Sequence, residues 1–425
     1  MRTVVRAGIR GEERENSLVF RGIPYGRVEG RFTPALPASL PAFPFDALHF
    51  PSAMPQRKIG EDTFYGREFY WGENALPRAE ENSLFLNIWT PKDEEDCPVV
   101  VFFHGGAFNH GWASEVEFDG EKWAERGVIL VTVQYRLGLP GYITLEGEKC
   151  NLGLRDQALA ADWVRNNIAL FGGDVNRISL MGQSAGGCSV EVLVSSSLLT
   201  FRPYSLIIMS AGGPGGPIPL LERRRKEAER TVSSFLVENG ITREKLCLMS
   251  TDEILETEEA LIAYSGSWLF FSPIVDGDSV KYTLSEALEK GLFDGIPVIM
   301  GVTESDLGEK GELLSSSLGF LSSRKGRGYL YAFNHPLPPD GVSPFHSADL
   351  WYVFGTLSRS RRSFQKEDYD LSSYIIDMMT KFVKTGSTDW KEAPEVNVLS
   401  QAFTCSSCTK RGTADRVPRR DGSRR

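Results

Sequence analysis

The chain has 425 residues, of which 41% are hydrophobic, 11% aromatic and 24% charged. That is the composition of a folded globular protein and excludes disordered and fibrous classes. Its 47 Lys/Arg against 56 Asp/Glu leave a net charge of −9. An acidic surface repels phosphate backbones, so nucleic acid is not an expected partner. No apolar run approaches the ~18 residues that span a bilayer, and charges run through residues 1–20. The expectation is therefore a chain without a membrane partner or a secretory leader. Cys97, Cys150, Cys188 and Cys247 form no disulfide framework, which fits a reducing, cytoplasmic setting.

The first 90 residues read as short strands, Ser17–Ile23 and Phe85–Trp89, separated by proline-rich loops between Phe32 and Pro55. A different pattern follows. Cys97–Gly106, Gly127–Tyr135, Arg177–Gly182, Pro203–Ser210 and Ile296–Gly301 each hold a short apolar run, most of them ending near glycine. Such near-continuous runs are the signature of parallel strands buried on both faces. Between the second and third, Asn151–Phe171 repeats Leu154, Ala158, Ala161, Val164 and Ile168 at helical spacing. Strand, helix, strand in that order implies right-handed crossovers in a parallel-cored sheet. Residues Leu220–Glu259 are dense in Glu, Arg and Lys with spaced leucines and read as solvated helices.

The length admits two or three domains, but large α/β enzymes fill it as one catalytic unit. The expected architecture is α/β: a mostly parallel central sheet with helices on both faces and an antiparallel N-terminal edge. A single catalytic domain is assigned to residues 1–395 and a divergent, disordered basic tail to 396–425. From Cys405 to Arg425 there are seven Lys/Arg, two Asp and almost nothing apolar, as in a solvated segment. Cys405 and Cys408 stand as a lone C-x-x-C pair and are assigned no function.

Ser184 lies in Gly182-Gln183-Ser184-Ala185-Gly186, after one of the apolar strands and before a segment able to form a helix. On a tight strand-to-helix turn, glycines remove the side chains that would clash, and the serine Oγ is left pointing out of the sheet. The helix N-terminus adds a favourable field for developing negative charge. A serine needs a base, an acid to orient the base, and donors for the oxyanion. Only five histidines are available: His49, His110, His335 and His346 beside His104 of the glycine loop. His346, on a loop after the apolar Tyr329–Phe333 strand, suits the chain order Ser, acid, His; His335 is the alternative. The acid should follow a strand between Ser184 and His346, and both Glu304 and Asp306 do. His104-Gly105-Gly106-Ala107 offers successive small residues whose backbone N–H groups can converge on one point.

Several further stretches stand in order: Phe20-Arg21-Gly22-Ile23-Pro24-Tyr25, Glu81-Asn82-Ser83-Leu84-Phe85-Leu86-Asn87-Ile88-Trp89-Thr90-Pro91, Asn151-x-Gly153-Leu154-Arg155-Asp156-Gln157, Phe171-Gly172-Gly173-Asp174, Phe271-x-Pro273-x-Val275-Asp276-Gly277 and Phe345-His346-x-x-Asp349-Leu350. Together with the elbow they resemble the type-B carboxylesterases of the α/β-hydrolase fold, the group that includes bacterial p-nitrobenzyl esterases and cholinesterases. The resemblance covers roughly residues 15–390.

The resemblance implies Asp306 as the catalytic acid, in Gly301-Val302-Thr303-Glu304-Ser305-Asp306, with Asp in place of the family's usual Glu. It implies an oxyanion hole of Gly106, Ala107 and Ala185, and Ser210 as a hydrogen-bonding residue behind the triad. It also implies a serine carboxylic-ester hydrolase working through Ser184, His346 and Asp306 and an acyl-enzyme, with no cofactor and no metal. A small-molecule ester is the implied partner, and a monomer or homodimer the expected state. An amidase, a lactonase or a detoxifying hydrolase with the same triad, or a non-catalytic binding protein, are the alternatives. Two departures stand out. The positions of the family's early disulfide are occupied by Met54 and Ser83, and the acid-to-base interval, 306 to 346, is much shorter than usual. A gorge-walling insertion is therefore expected to be missing, leaving a more open acyl pocket and a preference for short-chain or aryl esters.

Overall fold

The computed structural model describes residues 2–400 except 42, 43, 73, 74, 219 and 222. Its centre is a twelve-stranded sheet. Eleven strands lie on one path: β1 (Arg2–Arg6), β2 (Ile9–Glu13), β3 (Ser17–Pro24), β4 (Phe85–Pro91), β5 (Cys97–Phe103), β6 (Ile129–Val133), β7 (Gly173–Gln183), β8 (Leu206–Met209), β9 (Val298–Thr303), β10 (Gly328–Phe333) and β11 (Val396–Leu399). Their spatial order is β1-β2-β3-β4-β6-β5-β7-β8-β9-β10-β11, with Phe45–Asp46 paired to β2. Pairing is antiparallel from β1 to β6. It is parallel from β6 through β5 to β11. The expected α/β architecture with an antiparallel N-terminal edge is what forms.

The reason lies in two-sided burial. Every residue of β5, β6, β8, β9 and β10 is buried. Alternate side chains serve different cores. Val99, Val101 and Phe103 join one apolar cluster while Val100 and Phe102 join the other. The first core is closed by α1 (Leu152–Asn167) and α2 (Ala185–Ser195), through residues such as Leu154, Val164, Val190 and Leu193. α3 (Glu312–Ser322), which adds Phe320 and Leu321 to the same cluster, follows β9. The second core is closed by α4 (Leu350–Phe354) and α5 (Lys366–Thr385), through Leu371, Ile375, Met379 and Phe382. A strand that must be apolar on both faces cannot alternate, which is why it reads as a continuous run.

Three details refine the sequence reading. The helix ends at Asn167, and Ile168–Phe171 continues it as a tighter 3₁₀ turn. The charged stretch after Leu220 forms three helices, Arg225–Glu238, Arg243–Leu248 and Thr251–Ser265. β11 pairs with β10 over Val396–Leu399, so the sheet continues into the segment assigned to the tail, and the boundary at residue 395 falls too early. Cys405, Cys408 and the basic run lie outside the described residues. No helix among the described residues is long and apolar enough to cross a membrane.

Candidate active site

Ser184 sits where β7 gives way to α2, with φ 54° and ψ −125°, a strained conformation for any residue bearing a side chain. Neighbouring strands hold it there. Its N–H donates to the Met209 carbonyl of β8 at 2.8 Å, and its own carbonyl accepts from Cys188 N–H at 2.9 Å. The helix can start so close to the sheet only because residue 186 is glycine. A Cβ there would lie 1.9 Å from the Phe103 carbonyl oxygen of β5.

The glycine loop follows β5. Gly106 has φ 103°, and a Cβ on it would lie 2.2 Å from the His110 carbonyl oxygen. Ala107 and Phe108 continue in left-handed conformations at φ 52° and 64°. Among the described residues, the N–H groups of Gly106, Ala107 and Ala185 have no hydrogen-bond acceptor, so three donors are available at this end of the sheet. His104 is not exposed to this space. It is buried against the Tyr135 ring at 4.5 Å between centroids, and Tyr135 Oη donates to its carbonyl at 2.8 Å. Burial pushes its imidazole down to about 4 despite the contact with the Gly105 carbonyl. It is therefore a neutral brace for the loop.

Asp306 stands three residues beyond β9 and converges on His346, whose Nδ1 lies 2.5 Å from its Oδ1. The other oxygen accepts from Thr303 N–H at 2.9 Å and from Ser210 Oγ at 2.7 Å; Leu307 N–H adds 2.9 Å to Oδ1. Burial works to raise this carboxyl, but the charge and hydrogen bond of His346 and the two donors outweigh it and hold it below the usual range. Glu304 faces elsewhere, toward Lys310 and the Ser343 hydroxyl. Of the two acids left open by the residues alone, Asp306 is the one brought to His346. The alternative base, His335, is buried against Asp368 of α5 at 2.7 Å, part of a helix-terminus network with Tyr352. His49 is exposed.

Ser184 and His346 line one cavity of about 250 Å³, together with Gly106, Ala107, His110 and Gln183. Several of its walls carried no sequence signal. Tyr65, Phe69, Tyr70 and Trp268 come from surface-facing segments, and Tyr65 Oη donates to the His346 carbonyl at 3.3 Å. Glu115 and Glu117 also line it, buried and hydrogen-bonded to one another, and burial first, then the Glu117 charge, pushes Glu115 well above the carboxylate range. Close enough to Asp306 and His346 to feel their charge, Asp349 accepts from Tyr331 Oη at 2.7 Å, and burial raises its carboxyl to about 6. The interval from Asp306 to His346 holds one helix, α3, one strand, β10, and loops. Among the described residues no cluster of three or more His, Cys, Asp or Glu is arranged to hold a metal ion.

A serine on a strand–helix elbow, inside a cavity shared with a histidine bonded to an acid at the carboxyl ends of parallel strands, defines an α/β-hydrolase. The carboxylesterase family model matches residues 3–318 and 313–403. The para-nitrobenzyl esterase of Bacillus subtilis (strain 168) is 29% identical over 437 residues, covering 87% of this chain and 86% of that protein. Carboxylesterase 1D of Rattus norvegicus is 32% identical over 319 residues, 68% of this chain but 54% of the rat protein. A solved PNB esterase superposes with a TM-score of 0.82 at 25% identity, covering 94% of this chain and 96% of that one. The chain belongs to the carboxylesterase family and is a carboxylesterase, an enzyme that hydrolyses esters of carboxylic acids.

Proposed function

We propose that hydrolysis runs through Ser184, His346 and Asp306. His346 takes the proton from Ser184 as Oγ attacks the ester carbonyl, and Asp306 holds the imidazole with its proton on Nδ1 and stabilises the imidazolium. The N–H groups of Gly106, Ala107 and Ala185 receive the oxyanion. The alcohol leaves with the proton from His346, an acyl-enzyme remains on Ser184, and water repeats the cycle. Ser210 holds the acid from behind. The observation that carries this reading is the 2.5 Å contact between His346 and Asp306 in a cavity that also contains Ser184. A fluorophosphonate or sulfonyl fluoride should label one serine, and peptide mass spectrometry should find the adduct on Ser184; an adduct on another serine refutes the assignment.

For substrates, we propose short-chain carboxylic esters and aryl esters. The cavity of about 250 Å³ lies below the ~300–1,000 Å³ of pockets that hold drug-sized ligands. The short stretch between Asp306 and His346 leaves little chain to wall a deep acyl tunnel. We also place the protein in the cytoplasm: Met54 and Ser83 occupy the positions where the family resemblance implies a disulfide, and both are buried. Thiol titration of the denatured chain should give the same count before and after reduction; a gain of two would refute a reduced core.

A further inference from the structure

Gln183 is the last residue of β7, directly before Ser184, and its buried side chain lines the cavity. The two ends of its amide face different neighbours. The oxygen is packed against Gly105, where an added Cβ would stand only 2.7 Å from it. The nitrogen donates to Ser347 Oγ at 2.9 Å and lies 3.4 Å from Nε2 of His346. Ser347 stands at φ 77°, a backbone conformation that residues with side chains rarely adopt. The hydroxyl that anchors the amide is thus set in a backbone position of its own, next to the base.

The other groups around His346 act elsewhere. Asp306 takes Nδ1. Asp349 is bonded to Tyr331, Tyr65 reaches the backbone carbonyl, and the guanidinium of Arg362 lies over the neighbouring Phe345 ring. Glu115 and Glu117 share the cavity but are bonded to one another, and Glu304 is engaged by Lys310. Nε2, the nitrogen that must accept the Ser184 proton, meets a neutral amide. An N–H facing Nε2 at 3.4 Å matches a lone pair there, with the imidazole proton on Nδ1 facing Asp306. That is the tautomer a general base needs. A carboxylate in the same place would draw a proton onto Nε2 and favour the imidazolium.

We propose that Gln183 is a positioning residue for the reaction: its amide, held by Ser347, keeps His346 in the base tautomer, and because it is neutral it leaves the acid limb of the pH profile unshifted. The proposal rests on the roles given above to Ser184 and His346.

The test is the pH profile of kcat/KM for p-nitrophenyl butyrate, followed in a pH-stat, for the native enzyme, Gln183→Glu and Gln183→Leu. Gln183→Glu should move the acid limb upward by about one pH unit, a loss near tenfold at pH 6 that recovers as the pH rises. Gln183→Leu should leave the limb in place and lower kcat by roughly 3–10-fold with KM changing less. ¹⁵N NMR of His346, assigned against His346→Gln, should show Nε2 unprotonated in the native enzyme above the limb. A Gln183→Glu profile that superimposes on the native one, or an Nε2-protonated tautomer in the native enzyme, overturns the proposal. If Gln183→Glu fails to fold, Ser347→Ala carries the test: releasing the amide should lower kcat without moving the limb, and an unchanged kcat overturns it. Failure of the underlying reading would appear separately, as turnover retained in Ser184→Ala or His346→Gln.

Discussion

Around Ser184 the site is made by sequence neighbours: one strand, one strained residue and one helix, with Gly186 passing so close to β5 that no side chain fits. Around His346 it is made by distant segments. Asp306 comes from the loop after β9, the hydroxyl bonded to it from Ser210 after β8, and His346 from a loop 40 residues beyond Asp306. The first region depends on local covalent geometry and tolerates no added atom. The second depends on three parallel strands whose following loops bring Asp306 to within 2.5 Å of His346.

The sharpest test of the elbow is Ser184→Ala, which removes the nucleophile without touching the turn. Ester turnover should fall by roughly 10⁴–10⁶ while the melting temperature stays near the native value. Retained turnover would show that Ser184 is not the nucleophile.

The assembled region should be next most sensitive. Asp306→Asn leaves the Ser210 and Thr303 contacts partly in place but no longer fixes the imidazole tautomer, and kcat should drop by about 10⁴. Glu304→Gln, two residues away, should change it by less than about threefold, since exposed ion pairs contribute little. Equal effects at the two positions would mean that the acid has been misassigned.

A smaller effect concerns the short interval between acid and base. Along a series of p-nitrophenyl esters, kcat/KM should rise by about fourfold per methylene, from ~0.8 kcal/mol per buried CH₂, only until the cavity is filled. We expect the rise to end at about C4 to C6, in keeping with the small cavity. Specificity that keeps climbing through C10 and beyond would reveal a deep tunnel.

The smallest expected effect lies at Asp349, within reach of the charges of Asp306 and His346. Its carboxyl is raised to about 6 by burial, with further influence from Tyr331, Asp306 and His346. A raised value in the folded state means that its contribution to stability is fully present below the unfolded value near 4 and is lost as pH rises through about 6. Asp349→Asn removes that loss. Its melting temperature relative to the native protein should therefore be higher at pH 7.5 than at pH 5, by ~2–4 °C. A pH-independent difference would show that Asp349 does not titrate in the folded protein.

The elbow, the glycine loop and the parallel strands were legible because each is a local pattern with a local cause. Buried strands must be apolar on both faces, and a serine on a tight turn must have small neighbours. His346 was legible from chain order among only five histidines, whereas Glu304 and Asp306 could not be separated by position, since both follow β9. Only the backbone turn after Thr303 decides that Asp306 looks inward and Glu304 toward Lys310. Glu115, Glu117, Tyr65 and Trp268 were invisible as cavity walls, because nothing in their neighbouring residues marks which side of a loop will face the cavity. β11 was missed for the opposite reason. Val396–Leu399 is a four-residue edge segment with only two fully buried side chains, too short for a periodicity, and it becomes a strand because β10 presents an unpaired edge to it. The sequence by itself determined the buried strands of the parallel core and the elbow that holds Ser184, since these follow from local sterics and from apolar runs, while its ordered motifs carried the resemblance to the family. Which acid meets the base, which side chains line the cavity and where the sheet ends were decided by tertiary structure, because those depend on loops whose direction is set by what the packed strands bring beside them.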